Sequence, residues 1–508
     1  MKHRAASLVA LLAFVATGCT VDREITVEGA IRITILDVDG APLPTEDAPL
    51  PTNLGDRVER WTFVAEALDA QGQPDASFEG VTRVSLRPGS VDAVEGPDGL
   101  GRNLRFEAGR AEGTAVVAGM FGPSRLWLTD IGYQPAGDDE DPACANGADD
   151  DGDVQTDFPN DPGCAFADDQ SEETGTLLTG VSEPVFYELP TVAEVQGRGS
   201  TTPFEAVAVD IAVTEPVVIV TRVANDGFYV TDIGDPGGYN HLFAFNFNTP
   251  EGMRVCDRLL RFSGTATEFF GFTEVSFPSY EIGRVTEEST AACARDADCG
   301  DGEFCSRQAF SSEGRCQPCL VPEPVVLTNA LLNDDGELEK LESGLVRVEQ
   351  MRITPNFGPD FPEEVQPLAF KFSDNASNCD LNGDGQVDFE NAREGACSNQ
   401  CGSSADCSEW TAFASRGNYK LARQTLVIQA NTGTAQGFDP LAHKGQTLSS
   451  VTGTLRNFSG GTLNWTVETR CGEDLVCNFD SACQSEPIPS SLACIAPATE
   501  GDNDAGTN

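Results

Sequence analysis

The runs "VVIVTRV" at 217–223 and "GFYVTD" at 227–232 decide the fold class of this chain. Both are rich in β-branched and aromatic residues, which fit the pleated, half-buried surface of a sheet. Similar runs follow between turn-forming residues, at 242–247, 259–265 and 273–277. The segment 177–290 is therefore predicted to be a module built from strands.

The same pattern extends toward the N-terminus, where strand-like runs lie at 31–36, 60–67, 81–86, 114–118 and 124–129. Short strands at this spacing predict a β-sandwich over 25–135, and their size and order resemble immunoglobulin-like modules of bacterial surface proteins. The chain has 51 glycines and 30 prolines, with little helical periodicity. We expect a mainly β, multidomain protein.

Two segments resemble OB-fold modules that accompany secreted bacterial nucleases of the endonuclease/exonuclease/phosphatase superfamily. The first carries "GFYVTD" and "RFSGTATEFFGFTEV" (261–275), and the second carries "LEKLESGLVRVEQMRIT" (338–354) and "VTGTLRNFSGGTLNWTVETR" (451–470). The resemblance implies OB-like β-barrels over 177–290 and 321–472. It covers the accessory module only, since no nuclease catalytic domain is recognisable.

The charge of the chain limits its partners. The 508 residues include 32 Lys and Arg against 81 Asp and Glu, a net charge of −49. Such a charge attracts cations. It argues against unassisted binding to nucleic acid, which depends on Lys and Arg neutralising phosphates, and against docking on anionic lipid headgroups.

The N-terminus has the features of an export signal. Basic residues at 2–4 precede a short apolar run at 5–17, and small residues lead to Cys19. The pattern resembles the lipobox of bacterial lipoproteins, which implies a signal peptide over 1–18, a tether over 19–24, and lipidation of Cys19. Thr20 resembles an outer-membrane sorting residue. The alternatives are an ordinary secretory signal or an uncleaved membrane helix.

Setting Cys19 aside leaves an even number of cysteines, 16 of the 17. Export to an oxidising compartment favours disulfides over zinc. The insert 291–320 holds five cysteines, so one is expected to pair outside it, with Cys256 as the nearest candidate. A cysteine-rich segment over 473–497 precedes a polar tail at 498–508 that is predicted to be disordered.

An EF-hand-like loop lies in a second insert over 373–409. Oxygen-bearing residues stand at positions 1, 3, 5, 7 and 9, with glycine at position 6, a pattern that suits calcium. Position 12 is Asn391, and Glu390 lies one residue early, which weakens the pattern. The alternative is a solvated acidic turn. The predicted ligands are Asp380, Asn382, Asp384, Gln386 and Asp388.

The Asp-rich segment 136–176 is too polar to build an apolar core and is predicted to be a calcium-binding linker. Its alternating Asp residues resemble thrombospondin type 3 repeats, although Val154 stands where that pattern has glycine. A Cys144–Cys164 disulfide would close the loop. The dissociation constant for calcium at both loops is expected to be about 10⁻⁴–10⁻³ M, as in extracellular modules. The predicted ligands here are Asp149, Asp151, Asp153 and Asp157.

Catalysis is weakly supported. Only His241 and His443 remain after the signal, no GxSxG motif is present, and each histidine is expected to be structural. Arg222, Arg258 and Arg261 of the first OB-like module are too few for a basic track. The aromatic residues of that module are expected to be core residues; they are Phe228, Tyr229, Phe243, Phe245 and Phe247.

We expect a non-enzymatic, calcium-stabilised lipoprotein of the cell envelope that binds an extracellular ligand or partner protein. The alternatives are a nucleic-acid-binding accessory of a nuclease, or a hydrolase with an unrecognised site.

Overall fold

The structure is a computed structural model. It describes residues 29–133, 141–173, 175, 177–213, 218–283, 291–307, 313–354, 417–424, 426–440, 442–443, 445–457 and 465–495. Within these residues the chain is mainly β, which confirms the predicted fold class. The chain divides into two compact units after Tyr187.

The N-terminal unit is a β-sandwich. Its strands are β1 (Gly29–Val38), β2 (Glu59–Asp69), β3 (Val81–Arg87), β4 (Ser90–Glu95), β5 (Gly99–Leu100), β6 (Asn103–Arg105), β7 (Arg110–Ala118), β8 (Pro123–Asp130), β9 (Leu177–Leu178), β10 (Gly180–Val181) and β11 (Val185–Phe186). One sheet has the order β4-β7-β2-β1-β9. The other has the order β10-β8-β3-β6-β5, with β11 also paired to β8.

The alternation of apolar and polar residues along β1 explains why this strand packs in a sandwich. Ile31, Ile33 and Ile35 are buried in the core between the sheets, together with Trp61 of β2. The intervening Arg32 faces solvent. Successive side chains of a strand point to opposite faces, so this sequence buries one face and exposes the other.

The predicted module boundary at residue 177 is wrong, because β9, β10 and β11 complete the sandwich. Tyr187, just after β11, is buried against Trp61, with ring centroids 6.3 Å apart. Strands of two residues are too short to show an alternation of apolar and polar residues, so the hydrophobic pattern of the sequence does not predict them. The Asp-rich segment is consequently an insertion between two sandwich strands and not a linker between modules.

The C-terminal unit begins with helix α1 (Val192–Gln196), whose first turn is closed by a capping box between Thr191 and Glu194. The strands that follow are β12 (Val207–Ile211), β13 (Val218–Ala224), β14 (Gly227–Asp232), β15 (His241–Phe245), β16 (Arg258–Glu268) and β17 (Thr273–Gly283). Five of them close a barrel in the order β13-β14-β15-β17-β16, and β12 extends β16. The five strands form a closed barrel with both antiparallel and parallel pairings.

The cysteine-rich insert forms a small sheet of β18 (Ala292–Cys293), β19 (Glu303–Arg307) and β20 (Gly314–Pro318), in the order β18-β20-β19. Cys293–Cys305 and Cys299–Cys316 hold it together. Cys319 bonds Cys256 of the preceding barrel, which is the outside partner that the odd cysteine count required.

A second barrel follows. Its elements are β21 (Val325–Val326), α2 (Asp335–Glu339), β22 (Leu345–Thr354), β23 (Asn418–Arg423), β24 (Leu426–Asn431), β25 (Thr447–Asn457), β26 (Trp465–Glu468) and β27 (Leu475–Val476). Strands β22-β23-β24-β26-β25 close through the β22–β25 pairing, which is the same order as in the first barrel.

The segment after β26 is held against the second barrel by strand pairing and disulfides. Strand β27 pairs with β25, and disulfides join Cys471 to Cys494 and Cys477 to Cys483. Leu475 and Cys477 are part of the barrel core. The predicted cysteine-rich segment therefore packs against the barrel.

Candidate metal centre

The Asp-rich insertion of the sandwich, residues 141–173, has almost no regular secondary structure. Its one short 3-10 turn spans Ala143–Ala145. The Cys144–Cys164 disulfide closes it, with the two Cα atoms 5.7 Å apart, and the Cys144 amide donates to the Asp169 carbonyl at 3.0 Å. Cross-links and polar contacts, not apolar burial, give this segment its shape.

Side chains of alternating Asp residues fold the loop by accepting bonds from nearby backbone amides. Asp149 accepts from the amides of Gly152 at 2.7 Å and Val154 at 3.0 Å. Asp151 and Asp153 each accept from the amide two residues on, at 3.0 and 2.8 Å. These turns place one carboxylate oxygen from each of Asp149, Asp151 and Asp153 within 4.8 Å of one another.

A second group of carboxylates shares Asp151. Oxygens of Asp151, Asp161 and Glu172 also lie within 4.8 Å of one another. Asp161 and Glu172 are each only 2% exposed, and Asp161 Oδ2 is buried without a hydrogen-bond partner. The two groups therefore contain five carboxylates, with Asp151 in both.

The local electrostatics favour a cation. The stretch 141–173 contains no Lys, Arg or His. Like charges at this spacing repel, and hard carboxylate oxygens are the ligands that calcium prefers. The cysteines beside the group are disulfide-bonded, so they offer no thiolate of the kind that zinc binds.

The structure brings together three of the four predicted ligands in this loop. Asp157 stands apart, because both of its oxygens accept from the Gly147 amide at 3.0 Å. Sequence reasoning missed Glu172 and gave Asp161 no ligand role. Both reach the group only after the chain folds back past Cys164, and no regular spacing marks them.

Val154 carries the backbone strain of the loop. Its φ is +77° and its side chain is 88% exposed. A β-branched residue rarely adopts the left-handed region, which glycine enters freely. The turn that the calcium pattern assigns to glycine is thus retained here with valine.

Other predicted sites lie outside the described residues. These are the EF-hand-like ligands Asp380, Asn382, Asp384, Gln386 and Asp388, which fall within 355–416, and Cys19, which falls within 1–28.

The two histidines have structural surroundings. His241 is buried, its Nδ1 lies 2.8 Å from Thr231 Oγ1, and burial lowers its pKa from 6.5 to about 4. His443 lies between the rings of Phe438 and Phe479, with its Nε2 against Asp480. Both histidines therefore have partners within the protein.

The aromatic residues of the first barrel divide into two groups. Phe228, Tyr229 and Phe243 are buried, as expected of core residues. Phe247 is 59% exposed and lies 5.4 Å by ring centroid from Phe277, which is 70% exposed. The barrel therefore presents a short apolar surface.

Arg222 faces the second barrel and not solvent. It bonds Thr454 at 2.7 Å and Glu468 at 2.6 Å. Arg456 lies 3.8 Å from the same carboxylate. Burial alone would raise the pKa of Glu468, but the two guanidinium groups hold it below its ordinary value. This arrangement joins the two barrels.

Comparison with known proteins finds no matching family model, curated protein or solved structure. In the part of the chain that is described, no helix has the length and apolar character needed to cross a bilayer.

Proposed function

We propose that this protein is an exported, lipid-anchored component of the bacterial cell envelope, with a binding or structural role. In this proposal, calcium bound by the insertion of the sandwich stabilises the protein. The observation that carries it is the position of Asp151, whose carboxylate belongs to two groups of close carboxylates without a basic residue in the segment.

The proposal of calcium is supported by a donor set that consists of oxygen atoms. Calcium accepts six to eight oxygen ligands in flexible geometry, and the segment offers oxygens from the five carboxylates of the two groups that share Asp151. A bound divalent cation would relieve the repulsion and supply the partner that Asp161 Oδ2 lacks.

The direct test is calcium titration of EDTA-treated protein by calorimetry, with the parent chain compared with Asp151→Asn. We expect the variant to lose one binding event. The control is Asp150→Asn, because Asp150 is exposed and belongs to neither carboxylate group. Equal calcium binding by the parent and Asp151→Asn would contradict the proposal.

The lipid anchor is tested separately. Cys19→Ser should release the chain from the membrane fraction of a bacterial host, because the thiol is the proposed site of lipidation. Unchanged partitioning after this substitution would refute the anchor and leave the calcium proposal intact.

A second candidate function is binding of single-stranded nucleic acid by the first barrel. OB-folds use aromatic residues to stack bases, and the exposed Phe247 and Phe277 support this reading. Binding of a labelled oligonucleotide at low salt should weaken in Phe247→Ala. The absence of binding at low salt, with and without calcium, would remove this candidate.

A further inference from the structure

Glu342 is a fully buried carboxylate in the C-terminal unit, just after helix α2. Its Oε2 accepts from the Gln196 side-chain amide at 2.7 Å and from the Thr273 backbone amide at 3.1 Å. Glu342 and Gln196 are each 0% exposed. The carboxylate therefore ties helix α1 and the start of strand β17 to the chain that enters the second barrel.

A second carboxylate reaches the same threonine. Glu268, at the end of β16, accepts from the Thr273 hydroxyl at 2.9 Å and from the Thr202 amide at 3.1 Å. Glu339, the last residue of α2, is 8% exposed and lies three residues before Glu342. Two carboxylates thus accept from Thr273, one from strand β16 and one from the turn after α2.

Three oxygen atoms in this cluster have no hydrogen-bond partner. They are Glu342 Oε1, Glu268 Oε1 and Gln196 Oε1, and each is buried. Each is an acceptor only, so a donor or a cation is required to satisfy it. An unsatisfied buried polar atom is costly, and all three belong to one hydrogen-bond network, since Glu342 bonds Gln196 and shares Thr273 with Glu268.

Among the residues that the structure describes, no basic side chain pairs with these carboxylates. Within the described residues, Glu268, Glu339 and Glu342 form no ion pair with Lys, Arg or His. Glu468 of the same unit, by contrast, has two arginines.

We propose that Glu342, Glu268 and the side-chain oxygen of Gln196 bind a divalent cation of the calcium class. The ligand atoms are hard oxygens, which calcium and magnesium prefer, and two carboxylates match the charge of a divalent ion. The site does not rest on the proposed function, since its residues belong to the other unit of the chain.

The bound ion would hold three elements together. Helix α1 contributes Gln196, strand β16 contributes Glu268, and the turn after α2 contributes Glu342. These elements surround the entry of the chain into the second barrel, so the cation would stabilise that junction.

The test uses the full chain with one proposed ligand removed from each Asp-rich loop, by Asp151→Asn and Asp384→Asn. This background protein is treated with EDTA and titrated with calcium alone. We expect about one equivalent of calcium to remain. In this background Glu342→Gln should abolish that binding or weaken it at least tenfold, and Glu268→Gln should do the same. The control Glu337→Gln, on the exposed side of α2, should bind as the background does.

Two results would overturn the proposal. One is the absence of calcium binding in the background, which would mean that protons or water alone satisfy the cluster. The other is retained binding in a folded Glu342→Gln or Glu268→Gln variant. The loop proposal is judged by Asp151→Asn alone, so the two proposals fail independently.

Discussion

The insertion of the sandwich and the contact between the two barrels both hold carboxylates that are largely shielded from solvent, but they balance the charge in different ways. At the barrel contact, Glu468 is held by Arg222 and Arg456 from the chain itself. In the insertion, Asp151, Asp161 and Glu172 converge where the local sequence has no basic residue. An internal counterion is always present, whereas an external one depends on its concentration. We therefore predict that the stability of the barrel contact is independent of calcium, whereas the stability of the insertion depends on the calcium concentration.

The largest effect is expected at the barrel contact. Glu468→Gln leaves two buried guanidinium groups without their carboxylate, which should cost about 3–5 kcal/mol of stability. Denaturant unfolding of the C-terminal unit measures it. The same substitution at Glu281, whose partner Arg261 is 83% exposed, should change stability by about 0.5 kcal/mol or less.

This cost should be the same with calcium and with EDTA, because both counterions belong to the chain. A calcium-dependent cost for Glu468→Gln would break the distinction between the two regions.

Acid should also weaken the C-terminal unit through His241. The folded pKa is lowered from 6.5 to about 4, so the unfolded chain binds the proton more readily. The contribution is complete above about pH 6.5 and is lost as the pH falls toward 4, with about 3 kcal/mol as its upper limit. The pH dependence of unfolding in His241→Gln should be flatter than in the parent.

A parent profile that does not change between pH 6.5 and 4 would show that His241 is not held neutral by burial.

Calcium should stabilise the N-terminal unit by a smaller amount. For a Kd of about 10⁻⁴ M, a calcium concentration about 100 times the Kd adds about 2.7 kcal/mol. Asp161→Asn should remove most of this gain while leaving the melting temperature in EDTA nearly unchanged. An equal calcium shift in the parent and the variant would show that Asp161 is not a ligand.

The smallest effect concerns Val154. Val154→Gly should raise the stability of the insertion by about 1 kcal/mol, because glycine enters the left-handed region without the steric cost that valine meets. Thermal unfolding in EDTA measures this change. Gln155→Gly, next to it and without a positive φ, should give no gain, and a similar gain from both would contradict the strain argument.

Much of the fold follows from the sequence, because alternation in β1 and the aromatic and β-branched runs of β13–β17 report burial directly. The boundary at residue 177 was wrong because strands β9–β11 have two residues each and no readable period. The order of strands within each barrel depends on long-range pairing, which local patterns do not encode.

The candidate site was predictable only in part. Spacing identified Asp149, Asp151 and Asp153, because their turns are local. Asp161 and Glu172 join them through the fold of the closed loop, and Arg222 meets Glu468 across 246 positions of sequence. Contacts of that kind carry no local signal.

The central claim is that calcium, and not the chain, balances the charge of the insertion. Amide hydrogen exchange across 144–173, measured by mass spectrometry in calcium and in EDTA, tests it most directly, with strands β13 and β14 as an internal reference. We predict that calcium slows exchange in the insertion, the Gly152 and Val154 amides included, and leaves the reference strands unchanged. Identical exchange of 144–173 in both conditions would contradict the account.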